Sequence, residues 1–181
     1  DVLVLCSEPI VPLALVQVAA CVEDLGRVEI LDLDTDRLSA PDTKKAIERS
    51  GAHFIGISAL FSFAHRQVVE TIKIARDALP HAVIVAGGPH ATTMPAELMN
   101  ESTLDYILMG EGEETIRAFV ERYDSDGLDS EFHSIPGLVY RKDGTLVFND
   151  RPDHFEEMDA IPLPAYHLVD MAKLTNTARK Y

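Results

Sequence analysis

Short apolar runs alternating with helix-patterned segments constrain this chain more than any other feature. Five such runs occur: Val2–Leu5, Val28–Leu31, Phe54–Ser58, Val83–Ala86 and Tyr106–Met109. Each is brief and mostly apolar, as expected of strands covered on both faces. A first helix is predicted from Leu13 to Leu25, stopping at Gly26, a suitable C′ residue. Leu15, Val18, Val22 and Leu25 form its stripe, and Ala14, Val16, Ala19 and Ala20 make it apolar nearly all round, so it should be buried on more than one side. Asp42 is expected to cap a short second helix carrying Ala46 and Ile47. The third places Val68, Ile72, Ala75 and Leu79 on one face and ends before Pro80. A short fourth starts near Pro95, and a fifth follows Gly112 with Ile116, Phe119, Val120 and Tyr123 on one face.

Strands alternating with helices imply right-handed crossovers and a parallel sheet. The expected fold is α/β and Rossmann-like: an open parallel five-stranded sheet in the flavodoxin-like order 2-1-3-4-5, with helices on both faces. Five strand–helix pairs without a second half argue against a complete dinucleotide fold. After Asp124 the pattern changes. Gly137–Arg141 and Thr145–Asn149 flank Lys142-Asp143-Gly144, which reads as a β-hairpin with a tight turn. Past Asp150, Pro152, Pro162 and Pro164 mark an extended linker. The expected plan is therefore an α/β domain over 1–124, a hairpin extension over 125–150 and a linker over 151–181 toward a further domain. The opening at Asp1 and the ending at Tyr181 suggest a fragment.

The chain has 181 residues, enough for one domain plus a tail, and 46% of them are hydrophobic, so a sizeable core can form. Lys plus Arg number 16 against 30 Asp plus Glu, a net charge of -14. Such a surface repels phosphate backbones, which argues against nucleic-acid and anionic-membrane partners. No apolar stretch reaches the ~18 residues that span a bilayer. With two cysteines and no secretory pattern, a reducing cytosolic compartment is the default expectation. Cys6 ends a strand and Cys21 lies in a helix, so both read as core thiols, and two cysteines alone hold neither a structural zinc nor an iron–sulfur cluster.

In open parallel sheets ligands bind outside the carboxyl ends of the strands, at the switch point of strand order. That rule selects four loops: Cys6–Pro12, Ser58–His65, Gly87–Thr93 and Gly110–Glu114. Ser58 offers a hydroxyl at a strand end, although a turn or helix cap would use the same residue. Gly87 and Gly88 let a flat ligand approach the backbone, although a tight strand exit would also want them. Gly110-Glu111-Gly112-Glu113-Glu114 is not a phosphate loop, because three acids compete with its N–H donors; Glu113 and Glu114 instead suit a helix N-terminus. Of the seven histidines, only His65 and His90 fall near the expected crevice, and no Ser–His–Asp arrangement is evident.

Together these segments resemble the cobalamin-binding domain that precedes the barrel of radical S-adenosylmethionine enzymes. The matching stretches are Pro12-Leu13-Ala14-Leu15 with Ala19-Ala20 and Gly26; Gly56-Ile57-Ser58; Gly87-Gly88-Pro89-His90-Ala91-Thr92; and Gly110-Glu111-Gly112-Glu113. Ile161-Pro162-Leu163-Pro164-Ala165-Tyr166 resembles the connector ahead of the catalytic barrel. The resemblance implies that cobalamin lies against the carboxyl edge of the sheet with its nucleotide tail inserted between strands. Ser58 and Leu60 match the family's Ser-x-Leu element, and Gly87 and Gly88 its Gly-Gly element. Pro89, His90, Gly110, Glu111 and Gly112 complete the implied cofactor-binding set. The loop Cys6-Ser7-Glu8-Pro9-Ile10-Val11-Pro12 departs from the Asp-x-His-x-x-Gly element of many members and lacks its cobalt-ligating histidine, which implies base-off cobalamin without a protein histidine ligand. The cluster motif Cys-x-x-x-Cys-x-x-Cys is absent, so the [4Fe-4S] cluster, S-adenosylmethionine and catalysis would belong to a barrel in the parent chain. The parent implied is a methyltransferase or a ring-forming or rearranging enzyme, in which methylcobalamin would supply a methyl group to a substrate radical.

A second reading is a cofactor-free domain that docks on the barrel and shapes its substrate entrance. A phospho-receiver would need acids at strand one, Asp after strand three and Lys after strand five, where this chain has Cys6-Ser7-Glu8, Ser58 and Gly110. A flavodoxin would need a hydroxyl-rich phosphate loop after strand one, where Ser7 stands alone.

Overall fold

The computed structural model describes residues 1–6, 13–126, 134–151, 159 and 161–173. The five apolar runs all form strands: β1 (Val2–Cys6), β2 (Val28–Asp32), β3 (Phe54–Ser58), β4 (Val83–Gly87) and β5 (Tyr106–Leu108). They are joined by α1 (Leu13–Ala20), α2 (Ala40–Ser50), α3 (His65–Ala78), the short α4 (Pro89–Thr93) and α5 (Pro95–Glu101). Helix α6 (Gly112–Asp126) then leads toward the hairpin β6 (Leu138–Lys142) and β7 (Thr145–Phe148).

The sheet has seven strands in the order β2-β1-β3-β4-β5-β6-β7, not five. Its first five are parallel in the order read from the sequence, and the hairpin adds β6 and β7 antiparallel to β5. The hairpin is thus part of the sheet rather than an appendage. Its turn residues Asp143 and Gly144 both have positive φ, 51° and 79°, as a type I′ connection requires. Leu138 and Val139 are buried where β6 pairs with Leu108 and Ile107, so the pairing is driven by apolar cover for the end of β5.

Two helix boundaries differ from expectation, and one further helix is present. Helix α1 ends at Ala20 and turns carry the chain on to Gly26. Helix α2 starts at Ala40, capped by Ser39, whose side chain accepts the Asp42 N–H; Pro41 fits the first turn, where no N–H is needed. A helix at Pro89–Thr93 precedes the one at Pro95. Two cores result, one on each face. Helices α1 and α6 cover Val2, Val4, Phe54, Val83, Val85 and Tyr106. Helices α2, α3 and α5 cover Leu3, Leu5, Ile55, Ile57, Ile84 and Ile107. No helix among the described residues is long and apolar enough to cross a membrane.

Candidate functional site

Strand parity decides where this molecule is hollow. On β3, Phe54, Gly56 and Ser58 alternate toward α1 and α6, and on β4 Val83, Val85 and Gly87 do the same. In the ladder Gly56 lies between Val4 and Val85, and Ser58 lies beside Gly87, whose other neighbour is Leu108. Three adjacent positions on one face therefore carry no side chain or only a hydroxymethyl group. The space left is a cleft of about 450 Å³, opening at the carboxyl ends of the strands between the sheet, α1 and the start of α6. Its walls are largely apolar: Val4, Leu15, Val18, Val85, Leu108 and Ile116. Ser58, Thr92, Thr93, Glu111, Glu113 and Arg151 supply polar groups.

Of the nine residues expected from the sequence, seven line this cleft: Ser58, Gly87, Gly88, Pro89, Gly110, Glu111 and Gly112. Leu60 and His90 do not. Leu60 is half-buried beyond the end of β3. His90 is buried at 2% exposure, its Nε2 2.8 Å from His65 Nδ1 and its Nδ1 3.1 Å from Ser62 Oγ. His65 is held in turn by Glu101, 3.1 Å from its Nε2. Burial lowers the His90 pKa, and the neighbouring His65 lowers it further, so its neutral form is favoured. Both ring nitrogens of both histidines are thus already engaged. The loop 7–12 lies outside the described residues.

The two glycines of the Gly-Gly pair have different physical reasons. Gly88 has φ +102°, and a Cβ there would fall 2.8 Å from the Ala59 carbonyl oxygen, so the adjoining backbone excludes any side chain. That oxygen also accepts the His90 N–H at 2.9 Å, while Ala59 N–H donates to the Gly87 oxygen at 2.8 Å. These bonds lace the exits of β3 and β4 together. Gly87 meets no such obstacle: a Cβ would be 3.6 Å from the Leu108 oxygen, an ordinary contact. Its missing side chain leaves room in the cleft rather than relieving the backbone.

Gly110 N–H donates to Thr92 Oγ1 at 3.0 Å, which ties the exit of β5 to α4. The cofactor-binding set read from the sequence leaves out Gly56, Thr92, Thr93 and Arg151, although Thr92 and Thr93 lie in the selected loop Gly87–Thr93. Gly56 was legible in principle, two positions before Ser58 on the same strand and so on the same face. Arg151 was not, because it reaches the cleft only through the β6–β7 hairpin. Burial pushes the Cys21 thiol up to about 11, with Glu113 adding to the rise, so it stays protonated as a core thiol. No group of three or more His, Cys, Asp or Glu among the described residues could hold a metal ion.

Comparison with known proteins gives a consistent picture. A family model described as B12 binding domain matches residues 2–120. The cytidylyl-2-hydroxyethylphosphonate methyltransferase of Streptomyces wedmorensis is 31% identical over 90% of this chain and 37% of its own length. An uncharacterised methyltransferase of Pyrococcus horikoshii is 34% identical over 90% of this chain and 35% of its own length. The chain therefore spans about a third of the length of these relatives. Among solved structures, the cobalamin-dependent S-adenosylmethionine radical enzyme OxsB with aqua-cobalamin bound superposes with a TM-score of 0.77 at 18% identity, over 97% of this chain and 25% of that one. The radical S-adenosylmethionine methyltransferase TsrM from Kitasatospora setae, with cobalamin and a [4Fe-4S] cluster bound, gives 0.69 at 24% identity, over 82% and 30%.

Proposed function

This chain belongs to the B12-binding domain family, and we propose that it holds cobalamin base-off, with the nucleotide tail seated in the cleft between the sheet, α1 and α6. The residues present fit that group. The dimethylbenzimidazole end of the tail is flat and largely apolar, and the cleft is a mostly apolar slot of about 450 Å³, within the ~300–1,000 Å³ usual for small-molecule sites. Its hollow exists because Gly56, Ser58 and Gly87 withdraw side chains from one face of a sheet that is filled elsewhere. That is the observation that carries the reading.

Ser58 and Thr92 offer hydroxyls to the tail, and Val85, Leu108 and Ile116 exclude water from its apolar part. With the tail's base held in the cleft, the base would not be available to the cobalt. Two features argue against a protein histidine in its place: the β1–α1 loop contains no histidine, and His65 and His90 already use both ring nitrogens. Bound cobalamin supplies a cobalt centre able to carry and transfer a methyl group. We place this domain, over 1–124 with its 125–150 extension, ahead of a radical S-adenosylmethionine barrel in a longer methyltransferase or ring-forming or rearranging enzyme. The [4Fe-4S] cluster and S-adenosylmethionine would belong to that barrel, and 151–181 would be the connector. The names and greater length of the relatives support this placement.

The test is retention of colour. The chain is mixed with hydroxocobalamin and desalted, and the visible spectrum is recorded. The expected result is corrinoid absorbance in the protein fraction, lost in Gly87→Leu, which fills the cleft without straining the backbone. A colourless wild-type eluate would overturn the reading and favour a cofactor-free docking domain.

A further inference from the structure

Among the described residues that line the cleft, Arg151 alone is a cation, and its stem lies in a trough built for it. Gly110 and Gly137 take left-handed backbone, with φ +84° and +69°. A Cβ at Gly110 would fall 2.6 Å from Arg151 Cδ, so the arginine stem occupies the space a side chain there would need. At Gly137 a Cβ would meet the Met109 oxygen at 2.6 Å and Arg151 Cγ at 3.7 Å. The backbone that carries Arg151 is fixed as well. Gly137 N–H donates to the Asp150 oxygen at 2.9 Å, Met109 N–H to the Gly137 oxygen at 2.8 Å, and Asn149 N–H to the Leu138 oxygen at 2.9 Å. The hairpin thus returns the chain to the end of β5 and lays Arg151 across Gly110 at the cleft.

No ion pair joins Arg151 to a described residue, although Glu111 and Glu113 line the same cleft. In a chain of net charge -14, the other charged groups among the described lining residues are the carboxylates of Glu111 and Glu113. A guanidinium fork matches two oxygens of a phosphate in geometry and in charge, whereas a neutral amide offers one oxygen and no opposite charge. The peripheral amides of a corrinoid are neutral; its nucleotide tail carries one phosphodiester.

Resting on the cobalamin reading above, we propose that Arg151 binds the phosphodiester of the nucleotide tail, so that the cleft selects complete cobalamins over cobinamides, which lack the nucleotide. Arg151 is then a specificity-determining residue, held by the hairpin rather than by the strands that form the cleft.

Equilibrium dialysis of the 181-residue chain against hydroxocobalamin and against diaquacobinamide tests this, at low and high salt, with Arg151→Gln and Arg151→Lys alongside. The wild type should prefer hydroxocobalamin. Arg151→Gln should weaken that binding about tenfold and leave cobinamide binding unchanged. Arg151→Lys should recover part of the loss and keep the salt dependence, as a point charge without the fork. Thermal midpoints equal to wild type show that the variants fold. Arg151→Gln binding hydroxocobalamin as tightly as wild type, or losing both corrinoids equally, overturns the inference and leaves the cobalamin reading standing. A wild type that binds neither corrinoid overturns both.

Discussion

The two faces of the sheet are made by the same strands to opposite effect. Toward α2, α3 and α5, β3 and β4 present Ile55, Ile57, Ile84 and Ala86, all buried, with Ile55, Ile84 and Ala86 wholly inaccessible. Toward α1 and α6 the same strands present Phe54 and Val83 at one end, then Gly56, Ser58 and Gly87 at the other. Along β3 and β4 the first face is filled to the ends of the strands. The second is packed where Phe54, Tyr106 and Phe119 meet edge to face, and it is hollow at Gly56, Ser58 and Gly87. Because protein interiors are close-packed, a hollow this size that opens at the carboxyl rim of a parallel sheet is a feature to explain, not slack. On the cobalamin reading proposed above, the contrast divides stability and binding between the two faces.

The strongest way to break that division is to hollow out the solid face. Ile84→Ala removes a fully enclosed side chain from β4, the strand between β3 and β5. It should lower stability by about 2–5 kcal/mol, read from urea unfolding. Under conditions where the variant stays folded, cobalamin retention should match wild type. Loss of retention in a folded Ile84→Ala protein would show that the faces are coupled.

A smaller effect comes from the polar chain at the rim of the solid face, Glu101–His65–His90–Ser62. His90 has a pKa lowered by burial and then by His65, with Glu97 opposing. Above about pH 6.5 His90 is neutral in both folded and unfolded chains and contributes no pH dependence. Below it the unfolded chain takes up a proton that the folded chain resists. Stability therefore falls as pH falls through this range, by at most about 1.4 kcal/mol per pH unit. Urea midpoints followed from about pH 7 to pH 5.5 should show this slope, and His90→Gln should flatten it. An unchanged slope in that variant would assign the titration elsewhere.

What could be read from sequence follows the same division. The strands of the solid face announce themselves, because Ile and Val runs of this length have little alternative to a buried parallel sheet. The hairpin was legible from Asp143-Gly144, where a type I′ turn needs two residues tolerant of positive φ. That it joins the same sheet was not, since the pairing of Leu138 with Leu108 is set by the return through Gly137 to Met109, far from the turn itself. The start of α2 was misplaced because Pro41 reads as a breaker, whereas in a first turn behind Ser39 it is at home. The rim glycines were found as loops, but a cleft is an arrangement of faces: Gly56 belongs to it by strand parity and Arg151 by tertiary return, and neither signal is local.

Gly87 offers the smallest effect and the sharpest test of the division. Its φ is not left-handed, and a methyl there would meet only the Leu108 oxygen at an ordinary 3.6 Å. Glycine within a strand is less favourable than alanine by roughly 0.5–1 kcal/mol, mostly through the freedom of the unfolded chain. Gly87→Ala should therefore raise stability by about 0.5 kcal/mol in urea unfolding. The same methyl stands in the cleft, so hydroxocobalamin should bind the variant more weakly than wild type in equilibrium dialysis. Opposite signs for folding and binding from one methyl group are what a position kept empty for a ligand requires. A variant that loses stability instead would mean that Gly87, like Gly88, serves the backbone, and the hollow would then be a by-product of strand packing.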